Sequence, residues 1–541
     1  MQTLITLKSR AHSAPLLASL ELPKNRKILK KKNGFQLIMG KGSSSCFLLN
    51  PSLLYFYNDE KLSADGFPLA GALHKDESFR GTGPLSCFDV TLNGLNQGIV
   101  IDPSPNGAWQ LARAGGRICL TIDSDKLSLR SYQGHEPDWK IHPFPFRNIP
   151  FTKDPLRHAM IRGLLDFFGG TRGAMGSATV FQKPNTNSGY GLDGIPDTYF
   201  QFLGAYPYIS DLRRSYLESH LEWLGSHIRA DGCIPWGGVP SGKPYYHLWI
   251  SEKCGLFFDG NALWLDMVYR VWLETGRLPE TDKIIRACDF YLHYMTPDGL
   301  VAAESKMRGC EWADLLQNGW HSSLINVLAV RAFQVTEAML RAARHHELAD
   351  RYRGAGQRLR NRLNQSIQQG GLWNGNGYVD WRDPKGGLHP HYRLDTHALA
   401  ILFDVPEPWQ MKKILQTLRE HPLPAKVPPA PYLLMGNWRE PQNDMLDDCT
   451  SWDFGRATMC GRCGATLVAA LRRLGEKKWS QTLESKLVDM IVHERGVPEY
   501  YMPDGTPMRA VSYIEHALSI GIAATLIHDR PIDAKHKMIE K

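Results

Sequence analysis

The sequence predicts a mainly α protein in which a β-rich, sandwich-like module precedes a larger helical part. Three observations support this prediction. Short apolar runs separated by turn residues recur over residues 34–150, and the apolar period becomes helical from about residue 153. Along the helical part, long connections alternate with short ones. Long connections in a compact domain usually carry function, so the alternation also indicates where a site lies.

The β-rich module is predicted from at least seven short strands. Turn residues such as Asn93-Gly94 and Asp123-Ser124-Asp125 separate the apolar runs, and this spacing is typical of a sandwich. The predicted strands are Phe35–Met39, Cys46–Leu49, Leu53–Tyr57, Cys87–Leu92, Gly98–Asp102, Arg117–Ile122 and Leu127–Arg130.

Twelve helices are predicted in the helical part. They lie at about 153–168, 196–208, 211–229, 257–276, 281–295, 321–345, 347–370, 393–403, 407–420, 452–475, 478–493 and 510–527. The junctions after the even-numbered helices are tight, whereas those after the odd-numbered helices are long. Because consecutive helices are antiparallel, all the long connections fall at one end of the assembly, which we call the rim.

Charge is concentrated at the start of the chain. The net charge is +8, and residues 1–33 hold eight Lys or Arg against one acid, so the rest of the chain is nearly neutral. We expect a flexible basic arm at 1–33, the β-rich module at 34–150, the helical domain at 151–530 and a polar tail at 531–541. A nearly neutral body argues against nucleic-acid binding.

Composition also bears on location. No run of about 18 apolar residues occurs, so no membrane-spanning helix is expected. The ten cysteines are scattered and no signal peptide is evident, which favours free thiols and a cytoplasmic location; organelle targeting by the arm is left open. A packing role is favoured over a redox role for Cys460-Gly-Arg-Cys463. No nucleotide-binding glycine motif precedes a helix, so no cofactor is expected.

The long connections combine tryptophans with carboxylates. About half of the 15 Trp lie there, beside many Asp and Glu. Flat apolar rings stack on the C–H face of a sugar, and carboxylates accept hydrogen bonds from its hydroxyls. The pattern therefore predicts a carbohydrate ligand.

Four segments resemble those of the (α/α)6-barrel, or six-hairpin, glycoside hydrolases, which include trehalases, processing-type α-glucosidases, glucoamylases and α-L-rhamnosidases. They are Gly189–Phe200, Cys310–Asp314, Ser451–Gly455 and Gly496–Tyr501. In this group the first segment carries a substrate-contacting Asp, the second the acid and the fourth the base. The resemblance implies an (α/α)6 toroid of six helical hairpins.

Hydrolysis of a glycoside needs one protonated and one ionised carboxyl group. We assign Asp314 as the general acid and Glu499 as the general base, with Glu311 as a rival for the acid. The expected reaction is exo-acting and inverting on an α-linked saccharide or small glycoside. The expected substrate-binding residues are Asp193, Asp197, Trp236, Trp249, Trp312, Trp320, Trp381, Arg393, Trp438, Trp452, Asp453 and Tyr500.

Several alternatives stay open. Asp197 and Asp453 are equally suited to a helix start, and Arg393 with Asp395 to a structural ion pair. His389, His391 and His397 lack a specific metal-ligand spacing, so no metal is expected. A sugar epimerase, an unsaturated-glucuronyl hydrolase and a non-catalytic carbohydrate-binding toroid are the alternative functions. Beyond a carbohydrate substrate no partner is predicted, and a homo-oligomer is left open.

Overall fold

The computed structural model describes only part of the chain. The described residues are 17–21, 26–31, 34–39, 44–49, 55–58, 69–72, 78–82, 85–89, 96–103, 107–114, 117–124, 126–134, 148–151, 154–168, 194–209, 211–238, 243–247, 255–303, 310–313, 316–423, 430–440, 444, 461–493, 497, 500–501, 505–508 and 514–528.

The chain divides into two compact units. The first comprises Met1–Ala174, Tyr208–Ser210 and Ile491–Gly496, and the second comprises Met175–Pro207, Asp211–Met490 and Val497–Lys541. The first predicted helix, near residue 153, therefore clusters with the β-rich residues rather than with the other helices. The domain bounds expected from the sequence otherwise stay a prediction.

Two antiparallel sheets form the first unit within the described residues. One has the strand order β1-β4-β11-β10-β7 and the other β2-β3-β12-β9-β8-β5-β6. The strands are β1 Leu17–Glu21, β2 Arg26–Lys31, β3 Gly34–Met39, β4 Ser44–Leu49, β5 Tyr55–Asn58, β6 Leu69–Ala72, β7 Ser78–Thr82, β8 Leu85–Asp89, β9 Asn96–Pro103, β10 Ala108–Ala114, β11 Arg117–Asp123 and β12 Lys126–Gly134.

Alternation of apolar and polar residues accounts for these strands. In β11, Ile118, Leu120 and Ile122 are fully buried, while Arg117 and Asp123 are exposed. This period of two gives the strand one buried face.

Strands β1 and β2 lie in the segment predicted as a flexible basic arm. They pair with β4 and β3 respectively, so these residues are strand rather than arm. The prediction of a flexible arm rests on the density of Lys and Arg. The backbone of Leu17–Glu21 and of Arg26–Lys31 nevertheless forms strand hydrogen bonds, and each segment contains apolar residues that favour a strand.

Thirteen α-helices occur in the described residues. They are α1 Asp154–Phe168, α2 Ile195–Ala205, α3 Asp211–Ser226, α4 Asp259–Thr275, α5 Thr281–His293, α6 Ser323–Ala342, α7 His346–Asn364, α8 Leu394–Leu402, α9 Pro408–Glu420, α10 Gly461–Arg473, α11 Lys477–His493, α12 Ile514–Ala517 and α13 Ser519–His528. The twelve predicted helices are confirmed as elements, and the last of them is split at Leu518.

Local chemistry sets several of these helix ends. The Ser322 side chain accepts a hydrogen bond from the Ile325 N–H and caps α6. Gly276, with a φ of 71°, ends α4 in the left-handed conformation that favours glycine. Pro408 opens α9, which Glu407 and Gln410 cap reciprocally.

Six helices of the second unit pack in a closed cycle. Helix α2 packs against α4, α4 against α6, α6 against α8, α8 against α10, α10 against α13, and α13 against α2 again. We call these six helices the ring. Among the described helices, α6 alone is long and apolar enough to cross a membrane, and 89% of its apolar window is buried inside the fold.

Candidate functional site

The ring helices begin at a common end. Arg462, in the first turn of α10, places Nη1 3.3 Å from Asp197 Oδ1 in the first turn of α2 and 3.2 Å from Glu515 Oε1 in α12. Ile195 at the start of α2 lies against Gly260 at the start of α4. The long connections lead into these starts, so this end of the ring is the rim.

Carboxylates occupy the first turns of four helices at the rim. They are Asp197 in α2, Asp259 in α4, Asp395 in α8 and Glu515 in α12. The positive ends of the helix dipoles point there, which stabilises a negative charge in the first turn. The rim therefore concentrates acids by the direction of its helices.

Arg393 is the centre of a buried cluster at the rim. We call Asp259, Glu311, Asp380, Arg393 and Asp395 the rim cluster. Arg393 is 1% exposed; its Nη1 lies 2.6 Å from Glu311 Oε1, and its Nη2 lies 2.7 Å from Asp395 Oδ2. Its Nε also donates to Asp395 Oδ1, at 3.1 Å. One guanidinium thus holds two carboxylates in fixed geometry.

The other two acids of the rim cluster are held less closely by Arg393. Oδ1 of Asp380 lies 3.6 Å from Arg393 Nη1 and has no hydrogen-bond partner in the described part of the chain, while Asp259 is bonded by the backbone N–H groups of Trp312 and Gly260. Burial raises the pKa of Asp259 well above its usual value, and the charge of Glu311 raises it further. Burial also raises the pKa of Asp380 to about 7, although Arg393 and the Trp438 hydrogen bond lower it.

Asp395 behaves in the opposite way. Burial raises its pKa, but the charge of Arg393 and the hydrogen bonds from Arg393 and Trp312 outweigh burial and hold that pKa below its usual value. Within the rim cluster, the pKa of Asp395, which Arg393 bonds directly, is thus lowered, whereas the pKa values of Asp380 and Asp259, which it does not bond directly, are raised.

Glu311 is committed to this cluster. It is fully buried, and its carboxylate accepts from Arg393, from Asn318 Nδ2 and, at 3.0 Å, from the Ala313 N–H. A general acid must present its carboxyl to the glycosidic oxygen, whereas both oxygens of Glu311 are bonded by donors of the protein itself. The geometry thus favours a structural role for Glu311 over the rival acid role. Asp314 and Glu499, the expected catalytic pair, lie outside the described residues.

Three of the expected sugar-stacking tryptophans are buried. Trp312, Trp381 and Trp438 are 8%, 1% and 0% exposed. The Trp312 Nε1–H donates to Asp395 at 3.0 Å, and the Trp438 Nε1–H donates to Asp380 at 2.7 Å. Trp381 stacks on His389 with ring centroids 4.1 Å apart. These rings hold rim side chains instead of offering a face to a sugar.

Trp236 and Trp320 are half-buried, in contrast to the other three, and the Nε1 of Trp236 is itself buried. Trp320 has a φ of 80°, which is rare for a bulky residue and is typical of functional sites. Its backbone exchanges two hydrogen bonds of 2.8 Å with Ala303, which hold this conformation. Trp236 stacks on Phe257 at 4.2 Å.

Trp236 also lies beside Asp197. A Cβ atom at Gly194 would lie 2.9 Å from the Trp236 ring and 3.3 Å from Asp197 Oδ2, so the ring and the carboxylate flank this glycine. The Asp197 side chain is 17% exposed. Trp236 and Asp197 thus form the combination of an aromatic ring and a carboxylate that the sequence predicts for a sugar-binding subsite.

The remaining expected site residues are not all described. Arg393 is buried in its two ion pairs and is not available to a ligand in this structure. The Tyr500 backbone pairs with Met508. Asp193, Trp249, Trp452 and Asp453 lie outside the described residues, as does the side chain of Tyr500.

The three histidines considered for a metal separate into two places. His389 Nδ1 and His391 Nε2 lie 2.9 Å and 3.2 Å from Asp444 Oδ2. His397 instead accepts from the Tyr378 N–H and bonds the Arg393 carbonyl oxygen. In the part of the chain that the structure describes, no three His, Cys, Asp or Glu side chains gather as a metal site.

Sequence reasoning missed Asp259 and Glu515. Each is an acid in an otherwise apolar helix start, Phe257-Phe258-Asp259 and Ile514-Glu515. A charge placed where the pattern calls for a buried residue is the signal that could have identified both, because charges are rarely buried without a structural or chemical reason.

Comparisons with known proteins give a likeness of fold. No family model matches the sequence, and no curated protein matches it. A GH78 family rhamnosidase from a Bacillus species aligns over 93% of this chain and 47% of its own, with 12% identity and a TM-score of 0.51. The chain therefore resembles this rhamnosidase in fold. The predicted resemblance is thus confirmed at the level of the fold.

Two further solved structures align less closely. A bacterial glucoamylase complexed with acarbose covers 95% of this chain and 83% of its own, with 12% identity and a TM-score of 0.49. A GH63 mannosylglycerate hydrolase from Thermus thermophilus covers 70% and 100%, with 12% identity and a TM-score of 0.47. This chain spans about half the length of the rhamnosidase, 47%.

Proposed function

We propose that the chain is a glycoside hydrolase built on an (α/α)6 toroid of six helical hairpins, with the β-rich residues as a sandwich-like accessory module. The observation that carries the proposal is the rim. The ring helices α2, α4 and α8 each carry an acid in the first turn there, and the half-buried Trp236 lies beside Asp197. The fold likeness to a rhamnosidase supports the same class of enzyme.

Asp314 is proposed as the general acid. It directly follows Glu311, Trp312 and Ala313, a segment that the rim cluster fixes through Arg393 and Asp395. A rigid neighbouring segment is what a catalytic acid requires, since small displacements from the glycosidic oxygen are costly. Glu499 is proposed as the base that activates water, which gives inversion when the carboxyls are about 6.5–9.5 Å apart.

The substrate is proposed to be an α-linked saccharide or small glycoside, attacked from its end. Trp236 and Trp320 are proposed to stack on the sugar and Asp197 to accept from its hydroxyls. The buried tryptophans Trp312 and Trp438 hold the carboxyl groups of Asp395 and Asp380 in place and are not proposed to contact the sugar.

The decisive experiment measures hydrolysis of a panel of chromogenic α- and β-glycosides by wild type, Asp314→Asn, Glu499→Gln and Glu311→Gln. We expect Asp314→Asn and Glu499→Gln each to lose about 10²-fold or more in kcat, the scale of a lost acid or base. Glu311→Gln keeps the shape and accepts from Arg393 through one oxygen, so a smaller loss is expected.

Three results would contradict these assignments. Full activity in both Asp314→Asn and Glu499→Gln excludes these two residues as the catalytic pair. Sugar binding without turnover in wild type indicates a non-catalytic toroid. A loss in Glu311→Gln as large as that in Asp314→Asn restores the rival acid. The anomeric configuration of the first product, followed by NMR, distinguishes inversion from retention.

A sugar epimerase is the second candidate, because one observation favours it. Two histidines at the rim, His389 and His391, share Asp444 Oδ2, and a His oriented by a carboxylate is suited to general base catalysis. NMR of free monosaccharides incubated with the protein in D2O tests it. Deuterium incorporation at a ring carbon without hydrolysis of any glycoside would favour the epimerase.

A further inference from the structure

One guanidinium binds both of the carboxylates through which the side chains and backbone of 311–313 are held at the rim. Arg393 bonds Glu311, which in turn accepts from the Ala313 N–H, and Asp395, which accepts from the Trp312 Nε1–H. Both carboxylates that Arg393 holds therefore touch this segment. Whatever moves Arg393 displaces the residues immediately before the proposed acid.

Asp380 is positioned to compete for that guanidinium. Its Oδ1 lies 3.6 Å from Arg393 Nη1, beyond hydrogen-bond distance, and has no hydrogen-bond partner in the described part of the chain. Its Oδ2 accepts from the Trp438 Nε1–H at 2.7 Å. The same Nη1 donates to Glu311 Oε1 at 2.6 Å, so a shift of Nη1 toward Asp380 weakens the bond to Glu311.

We propose that Asp380 is a positioning residue that, through Arg393 and Glu311, fixes the segment bearing the proposed acid. The inference rests on the proposed function and deepens it. While Asp380 carries a proton, Arg393 stays with Glu311 and Asp395. When Asp380 ionises, three buried carboxylates compete for one guanidinium, and Oδ1 draws Nη1 away from Glu311.

The charges that face Asp380 decide the direction of the effect. Burial raises the pKa of Asp380 to about 7, Arg393, Trp438 and His391 lower it, and Glu311 raises it. Below that pKa the carboxyl is neutral and the contacts of Arg393 match the structure. Above it, the ionised form predominates and the segment loosens, so activity falls on the alkaline side.

The first test needs no substrate. Hydrogen–deuterium exchange of the peptide that contains 310–318 is measured in the full chain at about pH 6 and about pH 8, on either side of the pKa of Asp380, and corrected for the intrinsic pH dependence of exchange. We expect protection of this peptide to fall several-fold at the higher pH in wild type and to stay constant in Asp380→Asn.

Asp383→Asn is the matched control in the same connection. The Lys385 and Gly387 N–H groups both donate to Asp383 Oδ1, an oxygen that asparagine keeps. In Asp383→Asn, the protection of the 310–318 peptide should therefore fall with pH as it does in wild type. The other titratable groups that face Asp380 are His391, Glu311 and Arg393. Asp380→Asn leaves all three in place, so a pH response that persists in this variant belongs to a group other than Asp380 and overturns the proposal.

The second test is the pH profile of kcat/KM on the best glycoside. We expect the alkaline limb of wild type to shift upward or vanish in Asp380→Asn. An active wild type whose profile equals that of Asp380→Asn overturns the positioning role and leaves the proposed function standing. If Asp380→Asn does not fold, constant protection in wild type across the two pH values overturns it equally. Absence of any glycoside hydrolysis in wild type overturns both the proposed function and the positioning role of Asp380.

Discussion

At the scale of single residues, two buried ionic clusters differ in how completely their carboxylate oxygens are paired with hydrogen-bond donors. In the rim cluster, one arginine faces several acids, and Oδ1 of Asp380 lacks a hydrogen-bond partner among the described residues. Within the ring, Asp266 is 1% exposed and accepts from Arg331, Arg270 and Tyr199 at 2.7–2.9 Å. Full compensation suits a structural cluster, and incomplete compensation suits a site that exchanges protons.

Replacement of Asp266 tests the structural cluster. Asp266→Ala leaves Arg331, which is 5% exposed at its side chain, without its carboxylate partner. Breaking a buried pair typically costs about 3–5 kcal/mol, so we expect a loss of that size in the free energy of unfolding, measured by urea titration.

The control is an exposed acid in an ion pair. Asp350 is 52% exposed and lies 2.6 Å from Arg341. Because exposed pairs contribute little, Asp350→Ala should unfold at nearly the wild-type urea midpoint. Equal midpoints for Asp266→Ala and wild type would contradict the structural role of Asp266.

The residue scale is also where sequence reasoning is least complete. It named Glu311, Arg393 and Trp312 as site candidates, and the structure brings these three together. It could not tell that Trp381 and Trp438 are buried, because a tryptophan in a loop has the same sequence signature whether its ring faces solvent or a carboxylate.

At the scale of elements, helix periodicity predicts most of the architecture. The α6 pattern, with Leu324, Leu328, Val335 and Met339 all buried, identifies a core helix from sequence alone. The split at Leu518 could not be predicted, because 511–526 is nearly apolar all round and its few polar residues define no helical period. Helix ends depend on capping and packing more than on the apolar pattern.

The contact between α13 and α2 depends on glycine. A Cβ atom at Gly521 would lie 2.2 Å from the Gly204 carbonyl oxygen, so the two helix backbones touch there. Gly521→Ala must separate the helices, and we expect a loss of about 1–3 kcal/mol in the free energy of unfolding by urea titration.

A second helical glycine provides the control. Gly354 in α7 would place a Cβ atom only 3.4 Å from the flexible end of Arg358. Gly354→Ala should raise stability by about 0.5–1 kcal/mol through helix propensity. Equal effects of the two substitutions would show that the close contact of α2 with α13 is unimportant for stability.

At the scale of the whole molecule, a ligand at the rim should stabilise the fold by mass action. A sugar or iminosugar that binds only the native state, present at a concentration of about 100 times its Kd, should raise the free energy of unfolding by about 2.7 kcal/mol. We expect thermal-shift measurements to show the effect in wild type. The shift at the same ligand concentration should be smaller in Trp320→Ala, because the half-buried ring of Trp320 is proposed to stack on the sugar.

The matched control is Trp409→Ala. Trp409 is 55% exposed on α9, where its ring packs edge-on against Trp373. Its loss should leave the ligand-induced shift unchanged. A shift that survives in Trp320→Ala but disappears in Trp409→Ala would move the sugar site from the rim to the outer surface of the helices.

The closure of the ring also bears on how the chain is made. Thr525 Oγ1 in α13 donates to the Leu203 carbonyl oxygen in α2, a contact between residues 322 positions apart. During synthesis the flank of α2 that α13 covers therefore stays uncovered until a residue 322 positions later has been added. Assembly of this protein should be slow and sensitive to chaperone supply, since contacts between distant positions form late.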